Sequence, residues 1–322
     1  MSRHSAAWVP SGIRWNGADP MVEWCHLGDL RATDSFFEQT VDRAMRQPFN
    51  LLFGHRTPLH ELATEQAQKA DLNLAGLIFH MSRCGSTVVS QMLAALERNV
   101  VLSEPAALDQ VVRLPARLPD MPQDRLVPLM RGMVAALGRK RYAERDLFIK
   151  LDAWHVLLLP LFRRAFPTVP WVFVYREPLE VLSSLARSRP AQMLPGWISP
   201  SLLSPAAIAA AADIDAYAVQ VLACYLRAAI DHLADGGLLV EYRELPDIGR
   251  IIDHLGLHYD EAELAAMRSA ALQDAKSPRV RFRPDGAAKR EEASEEMRLL
   301  AETHLAALHA RLEAVRLGTT AL

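Results

Sequence analysis

The stretch LAGLIFHMSRCGSTVV, residues 74–89, decides the fold class of this chain. It opens with seven mostly apolar residues, passes through a polar turn at residues 81–87, and continues into a helical pattern. A buried strand, a tight turn and a helix in succession are typical of a parallel α/β sheet. Such a turn presents backbone N–H groups at the positive end of a helix dipole, where an oxyanion can bind.

Four further apolar runs predict strands that alternate with helical segments. They are residues 99–103, 146–151, 170–176 and 237–242. Nearly continuous apolar strands separated by helices indicate a parallel sheet with helices on both faces. We therefore predict one three-layer α/β domain over residues 71–322, which ends in an amphipathic helix carrying Leu305, Leu308 and Leu312.

Residues 1–70 differ from the rest of the chain. They combine polar helical patterning with scattered tryptophans, Trp8, Trp15 and Trp24, and they lack the β-branched runs that come later in the chain. We predict that they form a helical segment packed on the main domain, with no role that the sequence reveals.

Composition excludes several classes of protein. The chain has 322 residues and a formal charge of −2, so no global field draws it to nucleic acid or anionic lipid. Its longest apolar stretches fall short of the roughly 20 residues that cross a bilayer, and its first residues lack an apolar signal core. The three cysteines form no CxxC pair, and no His/Cys/Asp spacing suggests a metal site. We expect a cytoplasmic protein with no membrane span, no nucleic-acid partner and no metal.

Polar residues follow four of the predicted strands, and ligands of open parallel sheets bind at the carboxyl ends of the strands. The turn that contains Arg83 follows the first of these strands, and Glu104, Lys150 and Arg176 lie at the ends of the others. The turn is not a Walker A loop, because Gly85 is followed directly by a serine instead of the Lys-Ser/Thr pair. This difference weakens an ATP- or GTP-dependent activity.

Arg176 and Ser184 form a second candidate anion site. Ser184 lies eight residues after the arginine, about two turns into the next predicted helix, so the hydroxyl returns towards the strand end. A guanidinium and a hydroxyl on one side can clamp a phosphate. The alternative is an arginine held by Glu177 and a serine that bonds its own helix.

The turn, followed about 90 residues later by VYREP (174–178) and Ser184, resembles the sulfotransferase family that uses 3′-phosphoadenosine 5′-phosphosulfate (PAPS). The resemblance covers roughly residues 74–255 and implies a fold similar to P-loop NTPases. Arg83 is closer to the tyrosylprotein and bacterial members than to the phenol and steroid branch. The resemblance implies that Arg176 and Ser184 hold the 3′-phosphate, and that the 5′-phosphosulfate is held by Arg83, Cys84, Gly85, Ser86 and Thr87.

The same resemblance implies roles for two further residues. Glu104 would be the general base, because a carboxylate at this strand end has that role in the tyrosylprotein branch. Lys150, in a buried strand, needs an anion, which is either the departing phosphate or an ion pair with Asp152 or Glu104. His80 and His155 are the next candidates for the base, although each fits a packed core histidine as well. Cys84 is interpreted as a small donor, with a thiol pKa lowered by an electropositive loop.

These assignments imply in-line transfer of a sulfuryl group from PAPS to a hydroxyl, or as a second choice an amine, of a small-molecule or peptide acceptor. The alternatives are a small-molecule P-loop kinase and a nucleotide-binding protein without catalytic activity. Residues 188–204 form either a lid over the acceptor or an ordinary surface loop. A basic stretch either completes the 3′-phosphate site or is a solvated loop; it contains Lys276, Arg279, Arg281, Arg283 and Lys289.

Overall fold

The computed structural model describes residues 7–16, 19–274, 277–281 and 286–319. The strands are β1 (Trp8–Asn16), β2 (Asp19–His26), β3 (His55–Pro58), β4 (Asn73–His80), β5 (Asn99–Ser103), β6 (Asp146–Lys150), β7 (Trp171–Tyr175), β8 (Gly237–Glu241), β9 (Gln273–Asp274) and β10 (Ser277–Arg281). The helices are α1 (Phe37–Met45), α2 (Pro48–Leu52), α3 (Ser86–Ala94), α4 (Ala106–Val112), α5 (Leu114–Arg117), α6 (Leu126–Leu137), α7 (Leu159–Ala165), α8 (Pro178–Arg187), α9 (Pro205–Ala209), α10 (Ile214–Asp231), α11 (Gly249–His254), α12 (Glu261–Ala271), α13 (Gly286–Glu292), α14 (Glu295–His304) and α15 (Ala306–Arg316).

A parallel sheet with strand order β5-β6-β4-β7-β8 forms the centre of the molecule. Every residue of β6 and β7 is buried. Because successive side chains of a strand point to opposite faces, the sheet is covered on both sides. The predicted α/β class, with helices on both faces, and the predicted strands are therefore confirmed. Among the described residues, no helix has the length and apolarity needed to cross a membrane.

Two helical stretches of the sequence are each divided in the structure. The Ala-rich segment after Ser204 forms only the short helix α9, and Asp213 begins α10 by accepting hydrogen bonds from the N–H groups of Asp215 and Ala216. The C-terminal amphipathic pattern is divided between α14 and α15. Leu305, at their junction, and Leu312 are fully buried, as the pattern predicts.

The prediction of a helical segment over residues 1–70 is wrong in its secondary structure. β1, β2 and β3 form an antiparallel sheet, and only α1, α2 and a short 3-10 helix (Leu59–Ala63) are helical. The tryptophans belong to this sheet, since Trp24 is buried in β2 and its indole N–H donates to Thr57 of β3. Aromatic side chains favour strands, but apolar and polar residues alternate only irregularly in β1 and β2, so the strand signal is weak.

Gly132 of α6 marks the contact between the N-terminal segment and the main domain. A Cβ atom at this glycine would lie 1.9 Å from the carbonyl oxygen of Leu62, in the 3-10 helix 59–63. Backbone atoms cannot move aside as a flexible side chain does, so this helix approaches α6 more closely than alanine would allow.

We predict that Gly132→Ala lowers the free energy of unfolding by about 2–3 kcal/mol, because overpacking against backbone outweighs the better helix propensity of alanine. Chemical denaturation measures the effect. The matched control is Gly54→Ala, where a Cβ atom would meet nothing within 4 Å, and its effect should stay within about 1 kcal/mol. Equal stability of both variants would contradict the close contact.

Candidate active site

The turn between β4 and α3 has the backbone of an anion-binding loop. Gly85 precedes α3 with φ +83°, and no side chain caps the helix, so the first N–H groups of α3 are available to a ligand. Arg83 has φ +58° and Glu104 has φ +53°, and among the described residues no other non-glycine has positive φ. Such backbone costs on the order of 1–3 kcal/mol per residue and concentrates at functional sites.

Tyr242 lies directly over this turn. A Cβ atom at Gly85 would stand 2.5 Å from the tyrosine ring, so the close approach requires glycine. The guanidinium of Arg176 lies over the same ring, 4.1 Å from its centre. Sequence analysis missed Tyr242, although its position directly after β8, at the edge where the other candidates lie, is a usable signal.

The two predicted anion-binding elements meet through Arg83 and Ser184. The Nε of Arg83 donates a hydrogen bond of 2.8 Å to the Oγ of Ser184 in α8. The guanidinium of Arg176 donates instead to Glu180, at 2.6 Å from Nε to Oε2, and both residues are buried. Arg83, Arg176 and Ser184 are therefore brought to one place, but Ser184 is bonded to Arg83.

Glu180 also contacts the C-terminal part of the chain, because Arg290 of α13 donates a hydrogen bond to its second carboxylate oxygen. Lys289, in the same helix, is buried. The other members of the predicted basic stretch cannot be compared, since Lys276 and Arg283 lie outside the described residues, as do the side chains of Arg279 and Arg281. The ion pairs of Glu180 place α13 beside the arginine that was assigned to the 3′-phosphate.

Glu104, Lys150 and His80 form a second cluster at the same sheet edge. The ammonium of Lys150, only 1% exposed, donates to Oε1 of Glu104, which is one of the partners that the sequence left open. Nε2 of His80 lies 3.5 Å from the same oxygen and 2.9 Å from the carbonyl oxygen of Leu151. Since a carbonyl only accepts, this nitrogen carries the proton.

Electrostatics keep Glu104 charged and His80 neutral. Burial alone would raise the pKa of Glu104, but attraction to Lys150 and the hydrogen bond from His80 outweigh it, so the pKa lies far below its usual range. Burial lowers the pKa of His80, and the nearby Lys150 adds to this effect. Glu104 is therefore an ionised carboxylate, and His80 a neutral imidazole.

Cys84 corrects the expectation of a lowered thiol pKa. Its side chain is fully buried and donates to the carbonyl oxygen of Val174 at 3.0 Å. Burial raises the thiol pKa to about 11, and its neighbours only partly offset this. Ser86 and Thr87 begin α3 directly after Gly85.

Asp109, Asp152 and His155 form a cluster that sequence analysis did not foresee. Their ligand atoms lie within 4.8 Å of one another, a spacing that could suit a cation. However, Asp109 already accepts hydrogen bonds from three donors: Trp154 at 3.0 Å, His155 at 3.1 Å and Arg113 at 2.8 Å. These donors, one of them a guanidinium, satisfy the carboxylate without a metal. The cluster therefore supports the predicted interpretation of His155 as a packed histidine.

Residues 188–204 cross the molecule next to this cluster. Met193 and Ile198 of the segment are buried, whereas Trp197 is 47% exposed. Arg113 lies between two indole rings, 4.3 Å from Trp154 and 4.9 Å from Trp197, and it donates to the carbonyl oxygen of Trp197. The segment is thus anchored at two buried residues and at Arg113.

Comparison with known proteins gives remote likenesses. No family model matches the sequence, and no curated protein matches it. A sulfotransferase from Mycobacterium avium is 13% identical, with a TM-score of 0.48 over 77% of this chain and 80% of that chain. A sulfotransferase from Alicyclobacillus acidocaldarius is 15% identical, with a TM-score of 0.45 over 76% and 96%. A retinol dehydratase in a complex with retinol and PAP is 15% identical, with a TM-score of 0.41 over 79% and 87%. With similarity this low, the proposed function rests on this chain's own residues.

We predict that the thiols of the native protein react at least about tenfold more slowly than free cysteine at pH 8, because Cys25, Cys84 and Cys224 are all buried. Burial raises the pKa of Cys25 to about 12, which adds to its protection. A colorimetric thiol reagent measures the rate, and the unfolded protein, in which all three thiols should react, is the control. Rapid reaction of Cys84 would contradict its buried position.

Proposed function

We propose that this chain is a sulfotransferase that transfers the sulfuryl group of PAPS to an acceptor hydroxyl. The hydrogen bond between Arg83 and Ser184, 101 residues apart, is the observation that carries this proposal. It joins the turn that resembles a 5′-phosphosulfate site to the helix that resembles a 3′-phosphate site. One bisphosphorylated nucleoside could therefore span both elements.

The donor would be held by charges and N–H groups already at the sheet edge. The 5′-phosphosulfate would lie in the turn, against the Arg83 side chain and the free N–H groups that open α3. The 3′-phosphate would be held by Arg176 and Ser184. Because Arg176 is bonded to Glu180 and stacked on Tyr242, its guanidinium is oriented in advance, and a phosphate would share or replace the carboxylate partner.

Chemistry would proceed by in-line displacement. Glu104 would accept the proton of the acceptor hydroxyl as the new S–O bond forms. The bond between sulfur and the bridging oxygen would break, and its electron pair would leave with the 5′-phosphate of adenosine 3′,5′-bisphosphate (PAP). Arg83 and Lys150 would neutralise the developing charge, and so no divalent metal would be needed. The bound proton would return to solvent from Glu104 in the next cycle.

The direct test incubates the protein with PAPS and a metabolite extract in the presence of EDTA. Mass spectrometry should show products heavier by one sulfuryl group, and these products identify the acceptor. The boiled protein is the control. Products that require ATP and Mg²⁺ instead would favour the P-loop kinase alternative.

We predict that the protein binds PAP at least about tenfold more tightly than AMP, because a buried guanidinium meets the extra 3′-phosphate. Calorimetry with both nucleotides measures the preference. Arg176→Ala should abolish it, and Glu180 then keeps Arg290 as a partner, which protects the fold. The control is Arg187→Ala, which removes an exposed arginine from α8, the helix that carries Glu180 and Ser184. This variant should preserve the preference for PAP. Equal affinities in the native protein would contradict the 3′-phosphate assignment.

We predict that Glu104→Gln lowers kcat by roughly 10²- to 10⁴-fold with the acceptor found above, because the amide cannot accept a proton. PAPS affinity should not fall. Lys150→Ala should lower kcat and weaken donor binding together, since it removes a cation that meets the leaving group. Steady-state kinetics separates the two effects. A Glu104→Gln enzyme with normal kcat would exclude this base and make His80 the next residue to substitute.

A further inference from the structure

Glu104 and Lys150 form an ion pair in the free protein. The ammonium donates to Oε1 of the carboxylate, and the sheet buries the lysine almost completely. In this state the ammonium of Lys150 is directed at Glu104 and not at a leaving group. The carboxylate of Glu104 is a weak base, because it is ion-paired with Lys150. The proposed function requires both groups in other roles.

The two members of the pair are held differently. The N–H of Glu104 donates to the carbonyl oxygen of Lys150 at 2.7 Å, and its backbone is held in the left-handed region. The main chain of Glu104 is therefore fixed against β6. Lys150 has four rotatable methylenes, and its ammonium lies 5.1 Å from the ring centre of Phe36, an aromatic face that can also accept a cation.

The other charged groups around Glu104 determine how its pKa responds when the ammonium leaves. His80 faces the carboxylate from β4 and is kept neutral by burial, so it donates a hydrogen bond but no charge. Asp152, in the segment after β6, adds negative charge, and burial raises its own pKa to about 6. The carboxylate of Asp152 accepts no hydrogen bond from the described residues. Without Lys150, burial raises the pKa of Glu104, and repulsion between Glu104 and Asp152 acts in the same direction, while His80 opposes both.

We propose that donor binding switches on the base: the anionic donor draws the Lys150 ammonium away from Glu104, and the carboxylate that remains accepts the proton of the acceptor hydroxyl. This inference rests on the proposed function and deepens it. One cation thereby serves two partners in turn, first the resting carboxylate and then the bridging oxygen. The enzyme would hold its base inactive until the donor is in place, so productive binding is ordered, with the donor first.

Proton uptake on PAP binding tests the switch without any acceptor. A group whose pKa rises on binding takes up protons at a pH between its free and bound values. Calorimetry of PAP binding in buffers of different ionisation enthalpy, from about pH 5 to 7, counts these protons. The native protein should take up more protons than Glu104→Gln, by up to about one, because the phosphates of PAP titrate equally in both. Glu104→Gln should also bind PAP on the order of tenfold more tightly, since no ion pair has to break.

Two further variants make the outcome decisive. Asp152→Asn should retain the extra uptake, which would be lost if Asp152 were the titrating group. Lys150→Met should lose it, because no ammonium remains to be drawn away. If Glu104→Gln does not fold with its unpaired lysine, the double variant Glu104→Gln with Lys150→Met is the reference. Equal proton counts in the native protein and this reference would overturn the switch, whereas failure to bind PAP at all would overturn the proposed function itself.

Discussion

The parallel pairing of β4 with β6 and β7 is the constraint on which the rest of the structure depends. Strands that run in one direction must all end at the same edge, and strands buried on both faces confine polar residues to the strand ends. His80, Glu104, Lys150 and Arg176 therefore meet although they are far apart in the chain. The site follows from the topology of the sheet, and its loops only add to it.

Charges buried at this edge are already paired without a ligand. Lys150 is paired with Glu104, and Arg176 with Glu180. A buried charge without a partner would destabilise the fold strongly. An anionic ligand that uses either of these two cations must therefore take over a cation that already has a carboxylate partner. This exchange couples nucleotide binding to the state of the carboxylates, which is the basis of the proposed switch.

The parts of the chain outside the central sheet are attached to the main domain by three different kinds of contact. The 3-10 helix 59–63 approaches α6 so closely that there is no room for a side chain at Gly132. Residues 188–204 are attached near Asp109 through the stacked Arg113, and α13 reaches the site through the ion pair of Arg290 with Glu180. The third of these contacts lies beside Arg176, which is proposed to bind the 3′-phosphate.

Sequence alone determined the five parallel strands and the residues at their ends, because a buried strand followed by a polar turn is a local signal that needs no knowledge of contacts. It missed the N-terminal strands, where half-buried alternation is weak, and it missed Tyr242 and the Asp109 cluster. Only the tertiary structure decided which charges are partners: Lys150 with Glu104, Arg176 with Glu180, and Ser184 with Arg83. Pairing depends on distance and burial in three dimensions, and residues 46 or 101 positions apart leave no trace of it in their spacing.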